Sequence, residues 1–247
     1  FKEEKLEEKM LEKFQRIYSF SFMQDKKMIV LSGSQKGVSD IYTMNINTQT
    51  TNKITADYYD DAHPRYWNNG AQEGIIFSSN RPIDSVAPKN TYQGETNNAF
   101  SDLFYYDLNK DENQLLGRLT NTPLSNETYP EILDSTHYSY LSDVNGVNNL
   151  YRGSMSNEYQ YTLYNYTFKD SNNDLIPYTA KEPLDYENIA PFNIYKLIEK
   201  STNPVSQWIG HNTPISSEYS GIIEVDKAKK SYLFAQIKKG KPTLRLK

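Results

Sequence analysis

An all-β fold of repeated four-stranded antiparallel units is what this sequence predicts, and three observations carry the expectation. One short phrase recurs: an apolar strand ending in Ser, a polar break, then Asp or Asn followed by apolar and aromatic residues. It occurs at 28–32 with 40–46, at 75–79 with 101–108, and at 138–142 with 149–152. From Tyr18 onward apolar and polar residues alternate with period two, the pattern of half-buried strands. The chain also holds 21 Tyr, a residue that packs a ring on a pleated surface and keeps its hydroxyl in water.

Residues 1–18 are the exception. Leu6, Met10, Phe14 and Ile17 recur at spacings of three and four among Glu and Lys, which predicts one amphipathic helix, the end of a preceding segment. A first unit follows over 19–56, with strands at 19–23, 28–32, 40–47 and 52–55 and polar turns at each reversal. The second, over 62–121, has strands at 63–67, 74–78, 102–108 and 117–120, and a long polar insert at 81–99 between its second and third strands. A third runs over 127–203, with strands at 129–133, 137–142 and 149–152. Its fourth strand is expected within 192–202, after an insert at 153–191. A partial fourth unit covers 221–247, with strands at 221–226, 231–237 and 242–246.

Anchor spacings set the length of the unit. Pro64 and Pro130 lie 66 residues apart, and Ile54-Thr55 and Leu119-Thr120 lie 65 apart. Removing an insert of roughly 20 leaves about 45 residues, the length of a β-propeller blade. The expectation is therefore a β-propeller of four-stranded blades, about three and a half of them, as part of a larger ring. Fewer blades than a ring needs would leave strand edges open.

Bulk composition excludes several classes. With 27 basic against 31 acidic residues and a net charge of −4, there is no basic stripe for nucleic acid. The densest basic runs, 227–230 and 238–241, read as solvated turns. Cysteine is absent, so there is no disulfide framework and no thiolate chemistry. No apolar run approaches the roughly 20 residues of a membrane span. A start at Phe1 in a charged segment predicts a mature or truncated piece of a longer protein.

The repeated phrases resemble the TolB-type β-propeller repeat (WD-like), as found in TolB-like envelope proteins of Bacteroidetes-type bacteria. The matching residues are Ile29-Val30-Leu31-Ser32, Asp40-Ile41-Tyr42 and Ile54-Thr55 in the first unit. In the second they are Ile75-Ile76-Phe77-Ser78-Ser79-Asn80-Arg81, Asp102-Leu103-Phe104 and Leu119-Thr120, and in the third Leu141-Ser142-Asp143 with Asn149-Leu150-Tyr151. The full Ser-Pro-Asp-Gly turn of that family is missing from every copy. The resemblance implies a non-enzymatic scaffold in the periplasm or at the outer membrane, binding other envelope proteins, with no cofactor.

Candidate chemistry is sparse. His63, His137 and His211 lack the close spacing of metal-binding pairs. No Gly-x-Ser-x-Gly elbow or phosphate-binding glycine loop occurs. The segment from Asp143 to Asn149 begins like a calcium loop, but its twelfth position is Ser154 rather than Glu. In a meander, the loop from the second to the third strand and the loop between units fall on one side. That predicts a partner-binding face of Tyr58, Tyr59, Asp60, Asp61, His63, Arg81, Asp84, Tyr92, Trp208 and His211. Two other functions fit the same composition. One is the propeller domain of a dipeptidyl-peptidase or prolyl-oligopeptidase whose catalytic domain lies elsewhere. The other is a glycan-binding module using the Tyr- and Asp-rich loops.

Overall fold

A computed structural model describes residues 10–35, 37–86, 100–110, 114–185, 196–217, 221–228 and 231–246. Among them there is no helix, and the all-β expectation holds. The predicted helix is corrected where it can be seen, since residues 1–9 lie outside the described part. Residues 10–15 form a turn in which Phe14 N donates to Leu11 O (3.2 Å), and strand β1 (Arg16–Phe22) starts directly after it. Phe14 instead packs edge-on against Tyr42, with ring centroids 4.9 Å apart. The spacing of three to four thus marks a turn residue and a strand residue, Phe14 and Ile17, rather than one helical face.

The first unit is a separate antiparallel sheet ordered β1, β2 (Met28–Gln35), β3 (Val38–Asn45), β4 (Thr51–Lys53). The second unit supplies β5 (Asp61–Asn68), β6 (Glu73–Ser79), β7 (Asp102–Asp107) and β8 (Gly117–Arg118). The third supplies β9 (Glu127–Ile132), β10 (His137–Ser142), β11 (Asn149–Lys169) and β13 (Lys196–Pro214), with β12 (Leu175–Ala180) beside β11. A third sheet is ordered β14 (Glu224–Ala228), β15 (Ser231–Lys238), β16 (Lys241–Leu246).

Here the propeller expectation is overturned. The second and third units are not separate blades. They form one path, β5-β6-β7-β8-β13-β11-β10-β9, a nearly closed mixed barrel of eight strands. The join is the parallel bridge between β8 and β13, Arg118 opposite Ile209. Two glycines make that approach possible. A Cβ on Gly117 would lie 2.8 Å from Trp208 O, and one on Gly210 would lie 2.1 Å from Leu119 O. The two ends of the path, β5 and β9, face each other through side chains: Arg65 pairs with Glu131 (2.6 Å) and Trp67 Nε1 donates to Ser135 O (3.1 Å). Trp67, Tyr105 and Trp208 meet edge-to-face at 5.4–5.5 Å within a cluster that also buries Tyr138 and Tyr140.

The repeats themselves are real, and one hydrogen-bond device closes each of them. The N–H of Ile41, Leu103 and Leu150 donates to the hydroxyl of Thr55 (2.9 Å), Thr120 (2.8 Å) and Ser216 (2.8 Å). The carbonyls of the same three residues accept from Ile54 N, Leu119 N and Ile215 N at 2.8–2.9 Å. The third unit therefore closes on Ile215-Ser216, at the far end of β13. The expected closing strand at 192–202 is displaced, and its residues 192–195 lie outside the described part. The expected insert is not a loop at its start either, because β11 runs unbroken to Lys169.

Two compact units divide the chain, Phe1–Ser156 with Trp208–Lys247, and Asn157–Gln207. The latter is built on the β11–β12 hairpin, paired from Tyr164–Ala180 to Lys169–Leu175. Its turn is held by Asp170 Oδ1, which accepts from Asn172 N and Asp174 N (2.8 Å each). Tyr166 stacks on Phe168 and takes the Leu184 N–H at its hydroxyl (2.8 Å).

Gly210→Ala should therefore lower stability by about 2–3 kcal/mol or more, since backbone and not a flexible side chain must move. Urea unfolding followed by tryptophan fluorescence checks this through Trp67 and Trp208, and a wild-type midpoint would refute the β8–β13 approach.

Candidate functional site

Of the ten residues expected on one face, the structure joins four, Tyr59, Asp60, Asp61 and Arg81, into a buried network and its rim, and puts Asp84 in the neighbouring cleft. The loop before β5 and the end of β6 bring Asp57, Tyr59, Asp61 and Arg81 together, all buried. Arg81 Nη2 donates to both Asp61 oxygens (2.8 Å each), and Nη1 donates to Asp57 Oδ2 (3.1 Å) and Ser85 O (2.9 Å). Its Nε donates to Ser79 Oγ (2.9 Å). All three guanidinium nitrogens are thereby engaged, Nη2 with both oxygens of one carboxylate. The cation lies 5.5–5.7 Å from the rings of Tyr59, Phe77 and Phe104. Burial raises the Asp57 carboxyl, Arg81 opposes that and Asp61 adds to it, leaving Asp57 at about 6. Asp60 turns outward and accepts from Ser39 N (3.1 Å), tying the first sheet to this loop.

The remaining expected residues lie elsewhere. Tyr58 is exposed beside the network. His63 is largely buried against Tyr129, with ring centroids 4.0 Å apart. Both residues sit at the same bulge in β5 and β9 with a left-handed backbone, φ 51° each. Burial, with Arg65 adding, lowers the His63 ring to about 4, so it is neutral at pH 7. Its Nδ1 lies 3.1 Å from Ser78 Oγ, which itself donates to Ala62 O (3.1 Å). That serine proton is committed to a carbonyl, and the pair does not make an activated nucleophile. Trp208 is in the barrel core with its Nε1 unpartnered. His211 lies 3.5 Å from Ser156 Oγ on the surface. Tyr92, with the rest of 87–99, lies outside the described residues.

Beside the network opens a cleft of about 660 Å³ lined by Pro82, Asp84, Asp102, Arg118, Thr122 and Ser125, among others. Arg118 organises it. Its Nε donates to Asp84 Oδ1 (2.6 Å), Nη1 to Asp102 Oδ2 (2.8 Å) and Nη2 to Pro82 O (3.0 Å), and it lies over the Phe104 ring at 4.6 Å. Asp102 Oδ1 accepts from Thr120 Oγ1 (3.1 Å) and Thr122 N (3.2 Å). Sequence reading passed over Arg118 and Asp102, although the repeats carry their signal. The residue before the closing Ile/Leu-Thr is Lys53 in the first unit and Arg118 in the second, ion-paired with Asp40 and Asp102; Lys53 Nζ reaches Asp40 Oδ2 at 2.6 Å. In the third unit the pair becomes Asn149 and Pro214, and the ion pair is gone.

A second comparison between units exposes Glu127. It opens β9 opposite Ser142, as Asp61 opens β5 opposite Ser79. The position of Arg81, two residues after that serine, is Val144 in the third unit, and the flanking Phe77 and Phe104 become Tyr140 and Tyr151. Glu127 is fully buried; Oε1 accepts from Ser142 Oγ (2.8 Å), and Oε2 has no partner at hydrogen-bonding distance. Burial raises its carboxyl to about 8, with the charge of Asp102 adding and the Ser142 hydroxyl opposing. It is a neutral acid at pH 7, standing where its counterpart is an ion pair. Among the described residues no group of three His, Cys, Asp or Glu is placed to hold a metal. Asp143, first residue of the calcium-like segment, instead accepts from Asn126 N (2.7 Å) and Nδ2 (2.9 Å). No protein-family model matches the chain, and no curated protein was found similar to it.

Arg81→Met should cost about 3–5 kcal/mol at pH 7.5, because two buried carboxylates lose their cation. Lowering the pH to 5 neutralises Asp57 and should shrink that loss; urea midpoints at both pH values decide, and wild-type stability at pH 7.5 would refute the network. Glu127→Gln tests the opposite case. A carboxyl raised from 4.5 to about 8 favours the folded state below 4.5, and that contribution is lost as pH rises towards 8. The Gln variant should therefore gain on the wild type progressively between pH 4.5 and 8, by roughly 2–4 kcal/mol at the upper end. A pH-independent difference would mean that Glu127 is ionised throughout.

Proposed function

We propose that this chain is a non-enzymatic scaffold that binds other proteins in a bacterial cell-envelope assembly. The observation that carries the reading is the outward face of β15 and β16. Leu233, Ile237, Leu244 and Leu246 are 41, 52, 71 and 69% exposed. The register sets Leu233 beside Leu246 and Ile237 beside Pro242, with Ala235 beside Leu244 between them. Cross-strand neighbours share a face, so these side chains form one apolar patch rather than scattered residues. The corresponding strands β6 and β10 bury both of their faces. The charged side chains of the loops support the same reading from the other direction. Arg81, Asp57, Asp61, Arg118 and Asp102 are engaged with one another in building the scaffold. The envelope setting rests on the resemblance of the repeated phrases to TolB-type repeats.

A photo-crosslinking residue placed at position 244 should capture a protein partner in cells, and the same residue at exposed Leu124 should not. With that partner purified, Leu244→Asp should weaken binding at least tenfold while leaving the unfolding midpoint unchanged. Equal affinity of variant and wild type would remove the β15–β16 face from the interaction and this reading with it.

A further inference from the structure

We propose that residues 121–125 form a proton-controlled wall of the Arg118 cleft, held in place while Glu127 is protonated and released when that proton leaves. The inference goes beyond the scaffold reading and does not depend on it.

The wall is a loop that lies outside every strand ladder. Thr122, Pro123, Leu124 and Ser125 line the cleft, and Leu124 is 80% exposed on a left-handed backbone, φ 63°. Two carboxylates hold its ends. Asp102 Oδ1 accepts from Thr122 N (3.2 Å), and Asp143 Oδ1 accepts from Asn126 N (2.7 Å). A further bond, Glu127 N to Ser101 O (2.7 Å), ties the start of β9 to the residue before Asp102.

Two demands meet at Asp102. Towards the cleft it is paired with Arg118 (2.8 Å), a cation that also serves Asp84. Its other neighbour is Glu127, fully buried, with Oε2 lacking a partner at hydrogen-bonding distance. While Glu127 carries a proton, this place holds one negative charge. Loss of the proton sets a second charge, cut off from water, beside the first. A buried carboxylate without a counter-ion is costly, and water admitted by a moving loop relieves it.

The other titratable groups packed against β9 are committed elsewhere. On β5, His63 lies against Tyr129 and Arg65 pairs with Glu131. On β14, Lys227 Nζ donates to the carbonyls of Ile132 and Leu133. On β6, Ser79 stands opposite Asp102, and Arg81 beyond it is bound to Asp57 and Asp61. Tyr140 of β10 and Tyr151 of β11 face Glu127; burial raises both phenols and its charge adds to that, so neither neutralises it.

The direction of the response follows. Burial raises the Glu127 carboxyl to about 8, the Ser142 hydroxyl opposing and Asp102 adding, against 4.5 for the hydrated group. The closed arrangement therefore binds the proton more tightly than the open one. Opening becomes easier as pH rises from 4.5 towards 8 and levels off above.

Amide hydrogen exchange tests this, with each rate expressed against that of the free peptide at the same pH. Protection of the Thr122 amide should fall by about tenfold or more between pH 6 and 8.5, while Ile76 in β6 stays unchanged. In Glu127→Gln, protection of Thr122 should be the same at both pH values. A carboxyl-labelled sample followed by carbon NMR should show Glu127 titrating over the range in which Thr122 loses protection. The proposal is overturned by constant protection of Thr122 in the wild type, by an equal fall in the Gln variant, or by a parallel fall at Ile76. Should the variant not fold, the wild-type titration still decides: a Glu127 already ionised at pH 6 overturns it.

Discussion

One hydrogen-bond exchange organises this protein: a backbone N–H spent on a hydroxyl, beside a carbonyl that takes the N–H of the preceding residue. It fastens the end of each unit to the third strand, just past the ladder of paired residues in the first two units. Either a Thr or a Ser serves, because only the oxygen is needed. A buried N–H without a partner costs about 1–3 kcal/mol, so a closing strand that brings no hydroxyl is disfavoured at once. This is why a dipeptide as short as Ile54-Thr55 holds register in a three-residue strand. It also explains how the third unit recovers the same closure after an excursion of more than fifty residues, since the bond specifies an end point and not a path.

Around that constant device the units differ in charge. The second places Arg81 between Asp57 and Asp61 and engages all three nitrogens of the guanidinium. The third keeps the acid and the serine but replaces the cation by Val144, and its two flanking rings carry hydroxyls instead. The two solutions have opposite pH signatures in their environment: one acid is held by a permanent cation, the other by a proton. A buried ion pair tolerates alkaline conditions better than a buried neutral carboxyl does. Stability of the second and third units should thus separate as the pH climbs past neutrality, even though both belong to one sheet. His63 adds a third tendency, because its ring is held neutral by burial and loses its place when acid charges it.

Much of this was legible in the sequence, and the illegible parts have definite causes. Strand positions followed from alternation, and the closing Leu-Thr of two units was visible as a phrase. The third closure was missed because Ile215-Ser216 lies far from Asn149-Leu150, and Ser is a weaker flag than Thr in a polar stretch. The barrel was missed for a different reason. A four-strand repeat fixes what each unit is, but the relation between units depends on one parallel bridge and on Gly117 and Gly210, whose lack of a side chain is no signal until the facing backbone is known. Over residues 10–18 the expected helix failed because Phe14 and Ile17 have helical spacing by coincidence; their partners, Tyr42 and Gly33, lie in strands. Expected site residues such as Arg81 and Asp61 were noticed for their charge, which is a sound reason to single a residue out. Their place in the interior follows from complementarity with each other, and a list of single residues does not contain that.

The same logic bears on where recognition resides. A side chain whose donors and acceptors are already satisfied inside the fold has little to offer a partner without first breaking what it holds. Arg81 has all three guanidinium nitrogens engaged, Asp102 is bonded at both oxygens, and Ser78 has committed its proton. Backbone groups at a sheet edge are different: they are polar, they are fixed in direction by the ladder behind them, and pairing them disturbs nothing already made. The apolar residues on the outward face of β15 and β16 likewise hold none of these internal bonds, so a contact there takes nothing from the scaffold. The charges that stand out in the sequence here, Arg81 and Asp61, are bound to each other in the interior, and the side chains free of such bonds on the β15–β16 face are apolar.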